Sequence, residues 1–267
     1  MGRKGKTARL KRKPAPRFWP IHRKELPWIE KPASGPHSLQ NCLSLTLVLR
    51  DILELSQTQK EAQTILNQGK VLVNGKIVKK TDFPVGLMDV ISMADANKYY
   101  RIMPGHKGLF LSEISKDETS YKLSRIDDKQ TVSGGVQLSL HDGSNLLIKV
   151  ADPKNPKEDT YKTFDVLKLG LPTKEIAGCV QFKEGNYAVI TGGKNIGVRG
   201  KIVEIEKAEG KKRMNALVVV EDEKGGRFQT ILDFVFTLGE NKPKVVPIEV
   251  EEPNAEAEQP MEAQPSV

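Results

Sequence analysis

Val71-Leu72-Val73-Asn74-Gly75-Lys76-Ile77-Val78 is the stretch on which the reading of this chain turns. Two runs of strand-forming residues flank Asn-Gly, the dipeptide that most readily supplies the two left-handed residues of a tight hairpin. Just upstream, Ala62, Ile65 and Leu66 share one helical face, and Gly69 stands where a helix-ending glycine belongs. Earlier still, from Ser44, Leu45, Val48, Leu49, Ile52 and Leu53 fall at i, i+3, i+4, i+7 and i+8, the apolar stripe of a first helix. The spacing predicts a helix–helix–hairpin unit. Lys70, Lys76, Lys79 and Lys80 crowd the hairpin, so one edge of the unit is strongly positive.

Downstream, residues 97–150 read as strands with one helix. Ser115-Lys116-Asp117-Glu118 has the capping-box spacing and predicts a short helix through about Leu123. Gln137-Leu138-Ser139-Leu140, the turn His141-Asp142-Gly143, and Leu146-Leu147-Ile148-Lys149-Val150 predict a second hairpin. Residues 151–163, rich in Pro and Lys, predict an exposed loop. Alternating runs at 187–190, 217–220 and 228–236, with glycine-rich turns between them, suggest a small β-barrel.

Upstream, residues 1–36 carry Arg3, Lys4, Lys6, Arg9, Lys11, Arg12, Lys13, Arg17, Arg23, Lys24 and Lys31 against only Glu25 and Glu30. Six prolines interrupt any helix there. Such a segment cannot bury enough apolar surface to fold alone; free, it should be largely disordered, with RNA phosphates able to order it. Trp19 and Trp28 lie within it and admit two readings: stacking on bases, or pinning the extension to the protein body.

The other end has the opposite charge. Residues 244–267 hold one lysine against six glutamates, a net of −5, so the chain's +8 leaves +13 on residues 1–243. A basic body points to a polyanion. No strongly amphipathic basic helix, signal peptide or apolar stretch near the roughly 20 residues of a membrane span is evident, so a membrane partner is not expected. After Pro247 the Glu-, Pro- and Ala-rich tail should be disordered. Cys42 and Cys179 stand far apart with no CxxC pair, and His22, His37, His106 and His141 are scattered. Neither a zinc site nor a disulfide framework is expected, and a reducing cytoplasm fits.

Residues 192–202, Gly-Gly-Lys-Asn-Ile-Gly-Val-Arg-Gly-Lys-Ile, invite a phosphate-loop reading. A P-loop requires glycine five residues before the Gly-Lys pair and a hydroxyl after it. Here Asn195 and Ile202 occupy those places, so nucleotide hydrolysis is rejected. No clustered nucleophile and base, paired carboxylates or cofactor loop is recognisable either. No catalytic residue, metal, cofactor or small-molecule substrate is expected, and Asp142 reads as a turn residue.

What the segment does match is G-x-x-x-G-x-x-G-K-[IV] over Gly193, Gly197, Gly200, Lys201 and Ile202. It resembles the KOW module, a small β-barrel, with Lys194, Arg199 and Lys201 on its loop surface. Residues 44–91 resemble the RNA-binding domain named after ribosomal protein S-four. There Thr58-Gln59-Lys60-Glu61-Ala62 replaces Ser-Arg-x-x-Ala, Leu45 stands where the first helix would carry an arginine, and Arg50 follows one turn later. Taken with Ala15-Pro16-Arg17-Phe18-Trp19, Gly35-Pro36-His37, Gly86-Leu87-Met88-Asp89-Val90-Ile91, Leu140-His141-Asp142 and Thr191-Gly192-Gly193-Lys194-Asn195, the chain resembles the eukaryotic/archaeal-type ("e") family of small-subunit ribosomal protein S-four from residue 2 to about 243. Archaeal type is preferred. Ser144 stands where that family suggests arginine, and Phe164 where it suggests glycine.

The resemblance implies an α+β protein of several modules. These are a basic extension (1–41), an αα-β RNA-binding domain (42–106), a central mostly antiparallel β domain (107–172), a KOW-type barrel with C-terminal strands (173–243) and an acidic tail (244–267). It implies a non-enzymatic constituent of the cytoplasmic ribosome that holds small-subunit rRNA electrostatically and by shape, beside neighbouring ribosomal proteins. The expected RNA-contacting residues are Arg3, Lys4, Lys6, Arg9, Lys11, Arg12, Lys13, Arg17, Trp19, Arg23 and Lys24 in the extension. Arg50, Lys60, Lys70, Lys76, Lys79 and Lys80 follow in the αα-β unit, and Lys194, Arg199 and Lys201 in the barrel. Two rivals stand beside this reading. An RNA-modifying enzyme would need a catalytic motif in residues 92–172, and a KOW-bearing transcription factor should lack the basic start.

Overall fold

Asn74 (φ 52°) and Gly75 (φ 75°) both occupy the left-handed region, and Leu72↔Ile77 and Val73↔Lys76 pair on either side. The turn therefore has the twist that a two-residue hairpin needs. The structure, a computed structural model, describes residues 9–21, 26–133, 135–150, 160–206 and 216–240. The acidic tail, most of the 151–163 loop and the first eight residues lie outside that set.

Along the chain, β1 (Arg9–Lys11) pairs with β2 (Trp28–Glu30), and β3 (Cys42–Ser44) leads into α1 (Leu45–Leu47). α2 (Gln59–Asn67) precedes β4 (Val71–Val73) and β5 (Lys76–Ile77), and β6 (Pro84–Gly86) pairs back on β3. With β7 (Val90–Met93), β8 (Lys98–Gly105) and β9 (Gly108–Glu113), the hairpin forms a five-stranded sheet of order β5-β4-β7-β8-β9.

A second sheet, β12-β11-β10-β13-β14, comprises β10 (Tyr121–Val132), β11 (Gly135–Leu140), β12 (Asn145–Lys149), β13 (Val166–Gly170) and β14 (Ile176–Val180). The third, β18-β17-β16-β15-β19, contains β15 (Tyr187–Ile190), β16 (Arg199–Glu206), β17 (Leu217–Asp222), β18 (Arg227–Ile231) and β19 (Val235–Gly239). Every strand pairing among the described residues is antiparallel. The protein is thus mostly antiparallel β with few helices. The first two sheets run to residues 113 and 180, past the divisions at 106 and 172 expected above.

Two helical expectations change. The apolar stripe from Leu45 holds through Val48 and Leu49, all fully buried. Beyond it Leu53 N–H bonds to Val48 O at 2.9 Å, an i→i+5 turn over Val48–Ile52 that offsets the face and leaves Ile52 and Leu53 half-buried. The capping-box spacing at Ser115 yields only a 3₁₀ turn, Asp117–Ser120, and β10 begins at Tyr121. That window offers no apolar stripe for a helix to bury, whereas Tyr121 to Arg125 gain a full register against β13. By contrast α2 forms as expected. Thr58 Oγ1 accepts from Glu61 N, the Glu61 carboxylate accepts from Thr58 N, and Gly69 (φ 74°) ends the helix.

Each sheet has its own core. A further apolar cluster joins all three: Met103 of β8, Leu123 of β10, Val166 of β13, Val189 of β15 and Phe236 of β19. The modules are therefore packed on one another.

Candidate nucleic-acid interface

The hairpin's lysines reach solvent because β5 is an edge strand with both residues exposed. Lys60, Lys76, Lys79 and Lys80 are exposed. Gln63 Nε2 on α2 donates to Lys79 O at 3.0 Å, fastening the segment after the hairpin to the helix. Lys70 also faces solvent, 3.4 Å from an exposed Asp95, a pair that holds it weakly. Arg50 instead lies half-buried and grips Asp51 with two bonds of 2.8 and 2.9 Å.

On the extension, Lys11, Lys13 and Arg17 are exposed, while Arg12 is half-buried and donates to Ile21 O at 3.3 Å. Trp19 is 2% exposed, and its Nε1–H donates to Cys42 O at 2.9 Å. Its ring is closed to bases, so of the two readings Trp19 takes the pinning one and leaves the RNA-facing set. Arg3, Lys4, Lys6, Arg23 and Lys24 lie outside the described residues, and of Arg9 only the backbone is described.

In the third sheet, Lys194 in the β15–β16 loop and Lys201 on β16 are exposed. Arg199 is half-buried with its guanidinium 5.9 Å from the Phe110 ring centre. Of the loop's glycines, Gly192 and Gly193 face Phe234 within the same module, and Gly197 serves packing between modules. A Cβ on Gly197 (φ 86°) would stand 2.6 Å from Gly105 C, against the β8–β9 turn.

Behind these surfaces lies a buried polar network whose members come from different modules. Lys122 Nζ donates to Asp89 Oδ1 at 2.7 Å and to Asp142 Oδ2 at 2.9 Å. Asp89 also accepts from Asn74 Nδ2 and Gly86 N, and its Oδ2 lies 2.9 Å from His37 Nε2. A Cβ on Gly86 would sit 2.5 Å from the His37 ring, so glycine there is what lets the histidine reach Asp89. Burial alone would raise the Asp89 pKa, but Lys122 and His37 outweigh it and hold the carboxyl well below its usual range. Asp142 behaves alike: burial opposes ionisation, while Lys122 and the Ser144 hydrogen bonds depress the pKa. The same carboxylates outweigh burial at Lys122 and raise its pKa.

His141, beside this set, accepts from Arg125 N–H at Nδ1 and donates from Nε2 to Leu87 O. Burial and the Lys122 charge push its pKa down to about 3. Arg125 then reaches the third sheet, donating to Val235 O at 3.1 Å and to Asp233 O. A cleft of about 480 Å³ opens at this junction, between Arg17, Lys107, Arg125 and Thr191. Asp127 and Asp233 on its wall offset those cations, which sets it apart from the exposed lysine surface.

Three domain profiles match in succession: the RS4NT (NUC023) domain over residues 4–40, the S4 domain over 48–91 and ribosomal family S4e over 96–176. Small ribosomal subunit protein eS4 of Staphylothermus marinus is 46% identical over 247 residues, covering 92% of this chain and 97% of the relative. The chain belongs to the ribosomal S4e family. The eS4 of Desulfurococcus amylolyticus is 47% identical over the same coverage. The crystal structure of the 30S ribosomal protein S4e from Thermoplasma acidophilum superposes with a TM-score of 0.61. It is 32% identical and covers 75% of this chain and 96% of that one.

Within this S4e chain, the matched S4 domain carries Arg50, Lys60, Lys70, Lys76, Lys79 and Lys80, and the RS4NT match carries the described bases of the extension. Reading the sequence missed the network. His37, Asp89 and Asp142 each sit in a motif quoted above, yet nothing local says that the three meet, and Lys122 carries no signal at all. Asp142 does act at its turn, accepting from Ser144 N at 2.9 Å. It also binds Lys122, which a turn role does not foretell.

Proposed function

We infer that this chain is a non-enzymatic, structural constituent of the small ribosomal subunit, binding rRNA in the cytoplasmic ribosome beside neighbouring ribosomal proteins. The observation that carries this is the 46% identity over 97% of an eS4 protein's length. The exposed lysines of the S4 domain fit the role. Bound phosphates would displace condensed counterions, while RNA shape, more than base identity, would select the site.

The finer layout is part of the same proposal. Residues 42–106 act as the αα-β clamp, with α2 and the β4–β5 hairpin presenting Lys60, Lys70, Lys76, Lys79 and Lys80. Residues 107–172 act as a central β domain and 173–243 as a KOW-type barrel offering Lys194, Arg199 and Lys201. Arg3, Lys4, Lys6, Arg9, Lys11, Arg12, Lys13, Arg17, Arg23 and Lys24 form an RNA-ordered arm, and 244–267 an acidic tail kept off the RNA. The direct test is sucrose-gradient sedimentation of cell lysate at low and high salt. Co-migration with small subunits, lost only at high salt or on magnesium removal, is expected. A chain found mostly free, or travelling with RNA polymerase, overturns the reading.

A further inference from the structure

The chain has two tryptophans, nine residues apart on one extension, in opposite surroundings. Trp19 packs in the first module's core with Ala15 and Ile29, so the extension is anchored without help from its neighbour. Trp28 is 47% exposed, although strand alternation turns the next residue, Ile29, fully inward. Leu26, two residues earlier, is 40% exposed. Directly across the β1–β2 ladder, Lys11 pairs with Trp28 and holds its ammonium 5.3 Å from the ring centre.

We propose that Trp28 is a stacking platform for an unpaired RNA base, with Lys11 neutralising the adjoining phosphate. This rests on the RNA-binding reading above and assigns it a contact of a second kind. Every base offers a π-face, so such a platform adds affinity without demanding a sequence. The charge at the ring selects this partner: Lys11, exposed like Lys13 and Arg17 of the same basic extension, is the group that stands over it. Glu30, the acidic residue of β2, is turned to the body and accepts from the Thr46 and Thr81 hydroxyls and the Gln59 amide. An aromatic ring with a lysine ammonium over it complements a nucleotide, whereas a protein partner of ordinary interface size needs a broader apolar patch than Trp28 and Leu26 offer.

The test uses the full chain with two probes, a twelve-residue oligouridine and inorganic polyphosphate, read by tryptophan emission. Trp19 supplies a constant buried background. Oligouridine is expected to quench the wild-type emission, and polyphosphate to bind without quenching. Trp28→Leu keeps an apolar side chain without a π-face. It should abolish the quenching and weaken oligouridine roughly 5- to 100-fold, leaving polyphosphate affinity unchanged, and Trp28→Phe should restore most of the loss. Wild-type binding without quenching overturns the platform. So does equal loss of both probes in Trp28→Leu, which would make the ring a prop for β1–β2. Unchanged oligouridine and rRNA affinity with lost subunit incorporation points to a protein neighbour and also overturns it. Wild-type chain that binds neither oligouridine nor small-subunit rRNA removes the RNA-binding reading itself. Full rRNA affinity in Trp28→Leu removes only the platform.

Discussion

The lysines of the β4–β5 hairpin and Lys122 on β10 place the same ammonium group in opposite surroundings. Lys76, Lys79 and Lys80 stand in water on an edge of the first sheet. Lys122 has a side chain 3% exposed, clasped between Asp89 of the first module and Asp142 of the second. An ammonium in water is free to exchange its hydration for a phosphate. A buried one is tolerated only with its carboxylates in place, and its removal strands them. A net positive charge therefore does not translate directly into an RNA footprint. Part of it forms the frame that holds the modules, and the exposed lysine surfaces they carry, in fixed relation.

The largest effect expected is at Lys122. Lys122→Met leaves two buried carboxylates without their cation and should cost about 3–5 kcal/mol, read as a lower urea midpoint. A loss below about 1 kcal/mol would place Lys122 with the surface lysines after all.

Acid should open the same junction. His141 has a folded pKa of about 3, so between its unfolded value near 6.5 and 3 the unfolded chain binds the extra proton. Stability then falls as pH falls, by about 3 kcal/mol at pH 4. The depressed Asp89 and Asp142 act in the same direction. Their contribution is present above the ordinary carboxylate range and is lost as pH drops through their lower folded values. His141→Gln should flatten the urea midpoint between pH 6.5 and 4. An unchanged slope there would mean that His141 is not the group being protonated.

A smaller effect sharpens the role of Phe164, where the S4e resemblance suggests glycine. Its backbone sits at φ 74°, and its ring is 6% exposed beneath the Arg125 guanidinium at 5.6 Å. Phe164→Gly relieves about 1–2 kcal/mol of left-handed strain but forfeits about 3–5 kcal/mol of packing. A net destabilisation of roughly 2 kcal/mol is expected by thermal unfolding. A stabilised variant would show that strain outweighs the ring's burial.

What could be read from the sequence follows from how far each signal reaches. Asn74-Gly75, the Gly69 helix end and the 141–143 turn encode themselves within a few residues, and all three form as expected. The hairpin lysines were legible for the same reason, since edge position and charge stand side by side in the sequence. The failures involve distance. The helix expected from Ser115 through about Leu123 lost to the β10–β13 register, leaving only the 3₁₀ turn Asp117–Ser120. Trp19 was claimed by a carbonyl 23 residues away. The His37–Asp89–Lys122–Asp142 set draws on three modules' worth of chain, and no spacing rule anticipates it.

The smallest effect on stability is expected at the surface lysines, and there the central claim is most exposed. Changing Lys76, Lys79 and Lys80 together to Gln should shift the urea midpoint by less than about 0.5 kcal/mol. The decisive measurement is the slope of log affinity for small-subunit rRNA against log salt concentration, with the fold checked by circular dichroism. Exposed lysines that neutralise phosphates predict a slope shallower by roughly one per lost contact, about three in all. A slope unchanged from wild type would remove the hairpin from the RNA face and contradict the division between framework and footprint.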